Sequence, residues 1–303
     1  MNDPNGFSNY KGTTHLFYQF HPYSQEWGPM HWGHVITKDF VKWTECLTAL
    51  APDKEFDEAG CFSGSGIETQ KGHLLVYTGV IEKEENGVKN VYQNQCIALG
   101  DGLSYEKSAQ NPVITGDMLP EKFSREHFRD PKIFKEDDGY YMVVGNKTEE
   151  NVPQVLLFHS EDGLKWNYVS VLAYDKDGKL GTMWECPDFF KLDDQYVLIT
   201  SPQDIQADGE LHNGNNTVYY MGKYDKNRHV FDYENVYSLD DGLDFYAAQT
   251  MEAEDGRRIM IGWMQSWDSN IRPADQKWAC MMTLPRELEL VDGKIIQSPV
   301  REI

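Results

Sequence analysis

No stretch of this 303-residue chain comes near the ~18 consecutive apolar residues that cross a bilayer as a helix, and its first residues lack the basic-then-apolar run of a signal peptide. Basic residues are scarce: 28 Lys and Arg stand against 49 Asp and Glu, a net charge of −21. Such a surface repels nucleic acid and anionic membranes, which removes both as partners and leaves a neutral small molecule as the easiest fit. The five cysteines (Cys46, Cys61, Cys96, Cys186, Cys280) are odd in number, scattered, and form no CxxC pair. That argues against a disulfide framework or a zinc site, and for a reducing cytoplasm. No phosphate loop, dinucleotide fingerprint or nucleophile-elbow serine is present, so no cofactor and no metal are expected. Helical periodicity is nearly missing as well.

What the chain does have is a repeat. Hydrophobic residues make up 40% of it, enough for a sizeable core. They fall in short strands separated by turn residues. Five segments superpose, each a strand, a polar turn and a second, strongly apolar strand. Their turns at Gly12, Gly72, Gly139, Gln195 and Gly256 are 60, 67, 56 and 61 residues apart. A second landmark, an outer strand turning into an aromatic, recurs at Trp43, Tyr105, Trp166 and Phe231 with steps of 62, 61 and 65. A unit of four short antiparallel strands cannot bury both faces alone, so five such units are predicted to stack radially into an all-β, five-bladed propeller. A β-sandwich would not explain so long a period. One domain over residues 1–303 is expected.

In a propeller only the innermost strand of each blade lines the channel, and residues at its start meet near the axis. The corresponding positions are Asp3, Phe62 with Ser63, Asp130, Glu185 and Tyr246, stepping by 59, 68, 55 and 61. Three carboxyls from distant sequence are thereby predicted to share one pocket with Arg129. Such a cluster is costly unless it performs chemistry or binds a cation. An ion-pair network around Arg129 or a calcium site are the structural alternatives. Two opposed carboxyls suit glycoside cleavage, about 5 Å apart if the mechanism is retaining and about 6.5–9.5 Å if inverting. Glu185 is the candidate acid, on the expectation that Trp184 and two nearby carboxylates raise its pKa. Asp3 lies in a turn rich in amide donors, which suits an ionised nucleophile. Asp130 is expected to accept sugar hydroxyls. Gln19 and Trp263 stand at equivalent depth on second strands, and Trp27 could stack on a sugar. A non-catalytic sugar-binding propeller and an inverting arabinosidase remain as rivals.

These residues resemble glycoside hydrolase family 32, the invertases, sucrose-6-phosphate hydrolases, levanases and inulinases. The resemblance rests on Asn-Asp-Pro-Asn-Gly (Asn2 to Gly6), Arg-Asp-Pro (Arg129 to Pro131) and Glu-Cys (Glu185-Cys186). Phe-Tyr-Gln ending at Gln19, Phe-Ser-Gly-Ser from Phe62, Asp-Phe-Tyr-Ala from Asp244, and Gly262-Trp263 are also similar, and the late stretch Arg272 to Trp278 looks like the bacterial sucrose-hydrolase branch. The match implies a five-bladed propeller and retaining hydrolysis of β-fructofuranosides, with sucrose or sucrose 6-phosphate foremost and fructans as an alternative. It implies Asp3 as nucleophile, Glu185 as acid/base and Asp130 as transition-state stabiliser. Asn2, Gln19, Trp27, Phe62, Ser63 and Arg129 would line the fructose subsite, and Asp188 would lie where leaving-sugar contacts occur. The family's C-terminal β-sandwich is expected to be absent, since the chain stops at Ile303.

Overall fold

Each repeat folds into four antiparallel strands hydrogen-bonded in sequence order, giving five separate four-stranded sheets. The structure, a computed structural model, describes residues 1–269 and 274–303, with only the backbone of Glu85. Arg272 and Pro273 of the late motif lie outside the described residues. Blade one comprises Pro4–Tyr10 (β1), Thr13–Phe20 (β2), His31–Thr37 (β3) and Thr44–Glu45 (β4). Blade two has Gly60–Thr69 (β5), Gly72–Glu85 (β6), Val88–Gly100 (β7) and Tyr105–Lys107 (β8). Blade three has Phe123–Glu136 (β9), Gly139–Thr148 (β10), Pro153–Ser160 (β11) and Asn167–Tyr174 (β12). Blade four has Met183–Leu192 (β13), Gln195–Gln203 (β14), Val218–Asp225 (β15) and Val230–Ser238 (β16). Blade five has Tyr246–Glu252 (β17), Arg258–Trp263 (β18), Arg286–Val291 (β19) and Lys294–Pro299 (β20). The predicted five-bladed propeller is the fold.

The core is not one mass but five seams, one between each pair of neighbouring blades. Phe17 and Trp32 of blade one meet Leu75 and Tyr77 of blade two, and Val76 and Ile97 then meet Met142 and Phe158 of blade three. Val143 and Leu157 pack on Trp184 and Tyr220 of blade four, and Val197 and Ile199 pack on Met260 and Leu288 of blade five. The ring closes where Phe7 and Leu16 meet Met251, Ile259 and Ile261. Each such side chain contributes roughly 1.5–3 kcal/mol by leaving water, so a lone blade, with both faces exposed, has nothing to hold it flat. Gln249 adds polar stitching at the closure. Its Oε1 accepts from Phe7 N at 2.8 Å and its Nε2 donates to Gly64 O at 3.0 Å, linking blades five, one and two.

The second sequence landmark is a turn rather than an outer strand. Asp39, Asp101 and Asp162 each sit between the third and fourth strands of a blade, and Asp225 ends the third strand of blade four. One carboxylate oxygen of each accepts from the amides two and three residues on, at 2.7–3.1 Å. The aromatic follows because the chain, once turned, drops a large side chain back toward the seam.

Three imidazoles are buried in the blade one–two seam. His15 Nδ1 lies 3.0 Å from His34 Nε2. His73 contacts Ser8 Oγ at 2.9 Å through one nitrogen and the Tyr105 hydroxyl at 2.7 Å through the other. Burial lowers His15 to about 4 and His34 to about 3, and pushes His73 well below its ordinary 6.5. The unfolded chain takes up these protons near pH 6.5, while the folded chain refuses them until near pH 4. The stability they contribute is therefore intact above pH 6.5 and falls as the pH drops. Asp3 and Asp130, raised by burial, act in the opposite sense, so the histidine share is read against a His34→Gln variant. The urea-midpoint gap between parent and variant is expected to narrow between about pH 7 and pH 5. A gap that stays level would mean that the His34 ring takes up its proton equally in folded and unfolded chains.

Candidate active site

Each of the five inner strands (β1, β5, β9, β13, β17) carries a β-bulge near the axis, where its register against the second strand slips by a residue; β9 has a further irregularity between Phe123 and Phe128. The slips fall between Asn5 and Ser8, Phe62 and Gly64, Arg129 and Lys132, Glu185 and Asp188, and Tyr246 and Gln249. Bulges bend a strand and re-aim a side chain, and these bulges lie beside the residues gathered at the axis. Gly6, Asp130, Cys186 and Ala247 occupy equivalent bulge positions with φ of +54°, +66°, +48° and +54°. At Gly6 a Cβ would come within 2.3 Å of the Phe17 ring, so the glycine of the first motif is required by close approach. Asp130 has no such freedom. Its left-handed backbone costs on the order of 1 kcal/mol and is held by the surrounding structure, as at many functional sites.

The three carboxyls share one cavity of about 360 Å³, lined by Asp3, Asp130 and Glu185 together with residues of blades one to four and Trp267 of blade five. This lies at the small end of ligand pockets, which run roughly 300–1,000 Å³. Asp3 accepts from Ser63 Oγ at 2.6 Å and from Asn2 Nδ2 at 3.1 Å. Asp130 Oδ2 accepts from Cys186 N at 3.0 Å. The Cys186 thiol is wedged between the two, 3.6 Å from Asp3 Oδ2 and 3.7 Å from Asp130 Oδ2. Burial, reinforced by the charge of Glu185, raises the Asp3 carboxyl. Burial also pushes Asp130 up to about 7, against the pull of Arg129.

Glu185 is clamped from two sides. Arg129 Nε and Nη2 both donate to its Oε1 at 2.9 Å. Its Oε2 accepts from the Tyr246 hydroxyl at 2.7 Å and from Gln203 Nε2 at 2.9 Å. Tyr246 also reaches Ser201 O at 2.9 Å. The hydroxyl can therefore give its proton to Ser201 while accepting one from a protonated Glu185, so either protonation state of Glu185 finds a partner.

Of the residues singled out from sequence, Asn2, Gln19, Trp27, Phe62, Ser63 and Arg129 line the cavity with the three acids. Trp27 stands at the rim, 54% exposed, edge-on to Phe62 with ring centroids 5.7 Å apart. Gln19 is tied to Cys61 O through its side-chain amide at 3.1 Å. Three expectations need correction. Asp188 does not line the cavity: it lies past the bulge, where Lys132 Nζ pairs with it at 3.1 Å and Thr250 N donates to it at 2.6 Å, beside a second pocket. Three residues along a strand is ~10 Å, and proximity in sequence hid that travel. Tyr246 is fully buried behind Glu185 and contacts that side chain rather than the cavity. Trp263 is not in this cavity's lining but lines the adjoining pocket with Asn2, Trp27 and Trp267, edge-on to Tyr246 and Trp267.

Of the neighbours expected around Glu185, the carboxylates of Asp3 and Asp130 share its cavity, but the tryptophan does not. Trp184 points to the opposite side of its strand, into the blade three–four seam, with its indole N–H on Leu180 O at 2.9 Å. Sequence reading missed Val91, Gln93, Glu126, His127, Gln203 and Trp267, which complete the lining. One signal was available for Val91 and Gln93. The 67-residue step between Gly72 and Gly139 is the longest of the four, and the surplus goes into the long β6–β7 hairpin that brings both residues over the cavity.

The sequence model described as "Glycosyl hydrolases family 32 N-terminal domain" matches residues 1–299. A sucrose-6-phosphate hydrolase of Zymomonas mobilis is 41% identical over 313 residues, covering 100% of this chain and 60% of the relative. A raffinose invertase of Escherichia coli is 41% identical, with 100% of this chain and 63% of the relative covered. Among solved structures, a Bombyx mori GH32 β-fructofuranosidase in complex with sucrose superposes with a TM-score of 0.90 at 38% identity, over 99% of this chain and 63% of that one. The chain thus spans about three fifths of the length of the curated relatives that it matches.

Proposed function

The chain belongs to glycoside hydrolase family 32, and from that premise we propose that it is a retaining β-fructofuranosidase acting on sucrose-type substrates, with residues 1–303 as one catalytic unit. The observation that carries this reading is the meeting of Asp3, Asp130 and Glu185, from three blades, in one cavity. Asp3, fixed by Ser63 and Asn2, attacks the anomeric carbon of the fructosyl ring. The bond from that carbon to the leaving oxygen breaks as Glu185 gives its proton to that oxygen. Water then enters and Glu185 takes one of its protons. The oxygen of that water bonds to the anomeric carbon, and Asp3 departs as a carboxylate. Asp130 accepts ring hydroxyls throughout, its carboxyl aimed by the bulge and by Cys186 N. Arg129 and Tyr246 are positioning residues that hold Glu185 in line. The chemistry needs only side chains and water. The five free cysteines support a reducing, cytoplasmic setting.

The test is stereochemical. Incubation with sucrose, followed by NMR in the first minutes, is expected to show β-fructofuranose as the first product. The α anomer appearing first would mean single displacement and would remove Asp3 from its role as nucleophile.

Asp188 provides a separate check. Its substitution by Ala leaves the buried Lys132 ammonium without a counter-charge, with only the Thr250 carbonyl to accept from it, which is expected to cost about 3–5 kcal/mol of stability. KM for sucrose should stay within about twofold, because the two sites are distant along the strand. A KM that rose tenfold at unchanged stability would restore Asp188 as a substrate contact.

A further inference from the structure

We propose that this pocket is built for an uncharged leaving sugar, so that sucrose is cleaved in preference to sucrose 6-phosphate. The inference deepens the fructofuranosidase reading above and rests on it. The phosphate of sucrose 6-phosphate sits on the glucosyl half, which leaves, so it must lie on the Glu185 side of the cavity. At pH 7 it carries a charge of about −1.5 to −2. Recognising it takes unengaged guanidinium or ammonium groups, or the amides of a helix N-terminus.

Among the described residues lining the cavity, Arg129 is the only cation, and no helix points into it. The Arg129 guanidinium is already committed. Nε and Nη2 hold Glu185 at 2.9 Å, and Nη1 donates to Gln93 Oε1 at 3.4 Å and lies 3.3 Å from His127 Nδ1. His127 supplies no charge near neutrality. Burial, with Arg129 and Lys147 adding to it, lowers the ring to about 4.

Against this single guanidinium stand four lining carboxyls: Asp3, Glu126, Asp130 and Glu185. Even with one proton shared among them, the lining keeps a net charge of about −2. Lys147, near enough to feel the charge of Arg129, is not in the lining and faces the carboxylates of Asp204 and Glu126. The chain's −21 extends the same sign outward and slows the approach of a dianion. The neutral groups on that side, Gln93, Gln203 and Trp267, suit sugar hydroxyls and a sugar face. Several relatives are named sucrose-6-phosphate hydrolases, but the described wall of this pocket offers a phosphate no unengaged cation.

The experiment compares initial fructose release from sucrose and from sucrose 6-phosphate by the 303-residue chain. The expected result is a kcat/KM for sucrose higher by at least about tenfold. Glu126→Gln, which removes a carboxylate at the mouth, should narrow that ratio by about threefold, as should raising the ionic strength. Equal rates, or faster cleavage of the phosphorylated sugar, would overturn the inference and leave the fructofuranosidase reading standing. Release from neither substrate by folded protein would overturn both.

Discussion

Replacing Asp3 by Asn is expected to lower fructose release from sucrose by at least about 10⁴-fold, since the amide cannot form the covalent intermediate. The fold should survive, because the substitution keeps the shape of the side chain. The remaining carbonyl can still accept a hydrogen bond from Asn2 or Ser63. Stability should hold or rise. Asp3 is a carboxyl raised by burial and by the charge of Glu185, so the native protein spends free energy to keep it ionised. Removing its charge also relieves Glu185. Thermal melts alongside a fructose assay check both halves. Activity within a few-fold of the parent would exclude Asp3 as the nucleophile. A collapse in melting temperature would mean that its main role is structural.

The architecture was legible because a propeller writes its period twice, once in the hairpin turns and again in the aspartate turns that precede Trp43, Tyr105, Trp166 and Phe231. The convergence of the acids was legible for a related reason. One channel-lining position per blade, spaced like the turns, must meet near the axis, and Asp3, Asp130 and Glu185 fall on it. The bulges left little trace. Glycine marks the first at Gly6, but the equivalent positions are Asp130, Cys186 and Ala247, residues that do not advertise left-handed backbone. Without the bulges, the strand phase past Glu185 could not be read. The bulge carries Asp188 past the cavity to Lys132, whereas Trp184 faces the seam by plain strand alternation, adjacent residues pointing to opposite sides. The outer lining was hidden for another reason. Gln93 and Gln203 come from strands whose reach depends on hairpin length, which repeat spacing records only as a surplus.

Arg129→Met is expected to cost about 3–5 kcal/mol of stability at neutral pH and to reduce kcat/KM by about 10³-fold or more. The arginine is the only cation among the described residues of a lining that holds four carboxyls. It grips Glu185 through two nitrogens and lies 3.9 Å from Asp130. Methionine fills similar space but leaves these acids without a counter-charge. The Asp130 carboxyl, already pushed up to about 7 by burial and held down by Arg129 and the Cys186 amide, would rise further. A raised acid binds its proton more tightly in the folded chain, so the stability deficit is largest above that pKa and shrinks as the pH falls toward about 4. The histidine seam carries the opposite trend in both proteins, and the difference between variant and parent cancels it. Arg129→Lys separates charge from orientation. An ammonium restores the sign of the field but cannot make the two-pronged contact that aims Glu185, so stability should recover more than turnover does. Should the methionine variant melt with the parent and keep a tenth of its activity, Arg129 would be neither the electrostatic keystone nor the aiming device that its contacts describe.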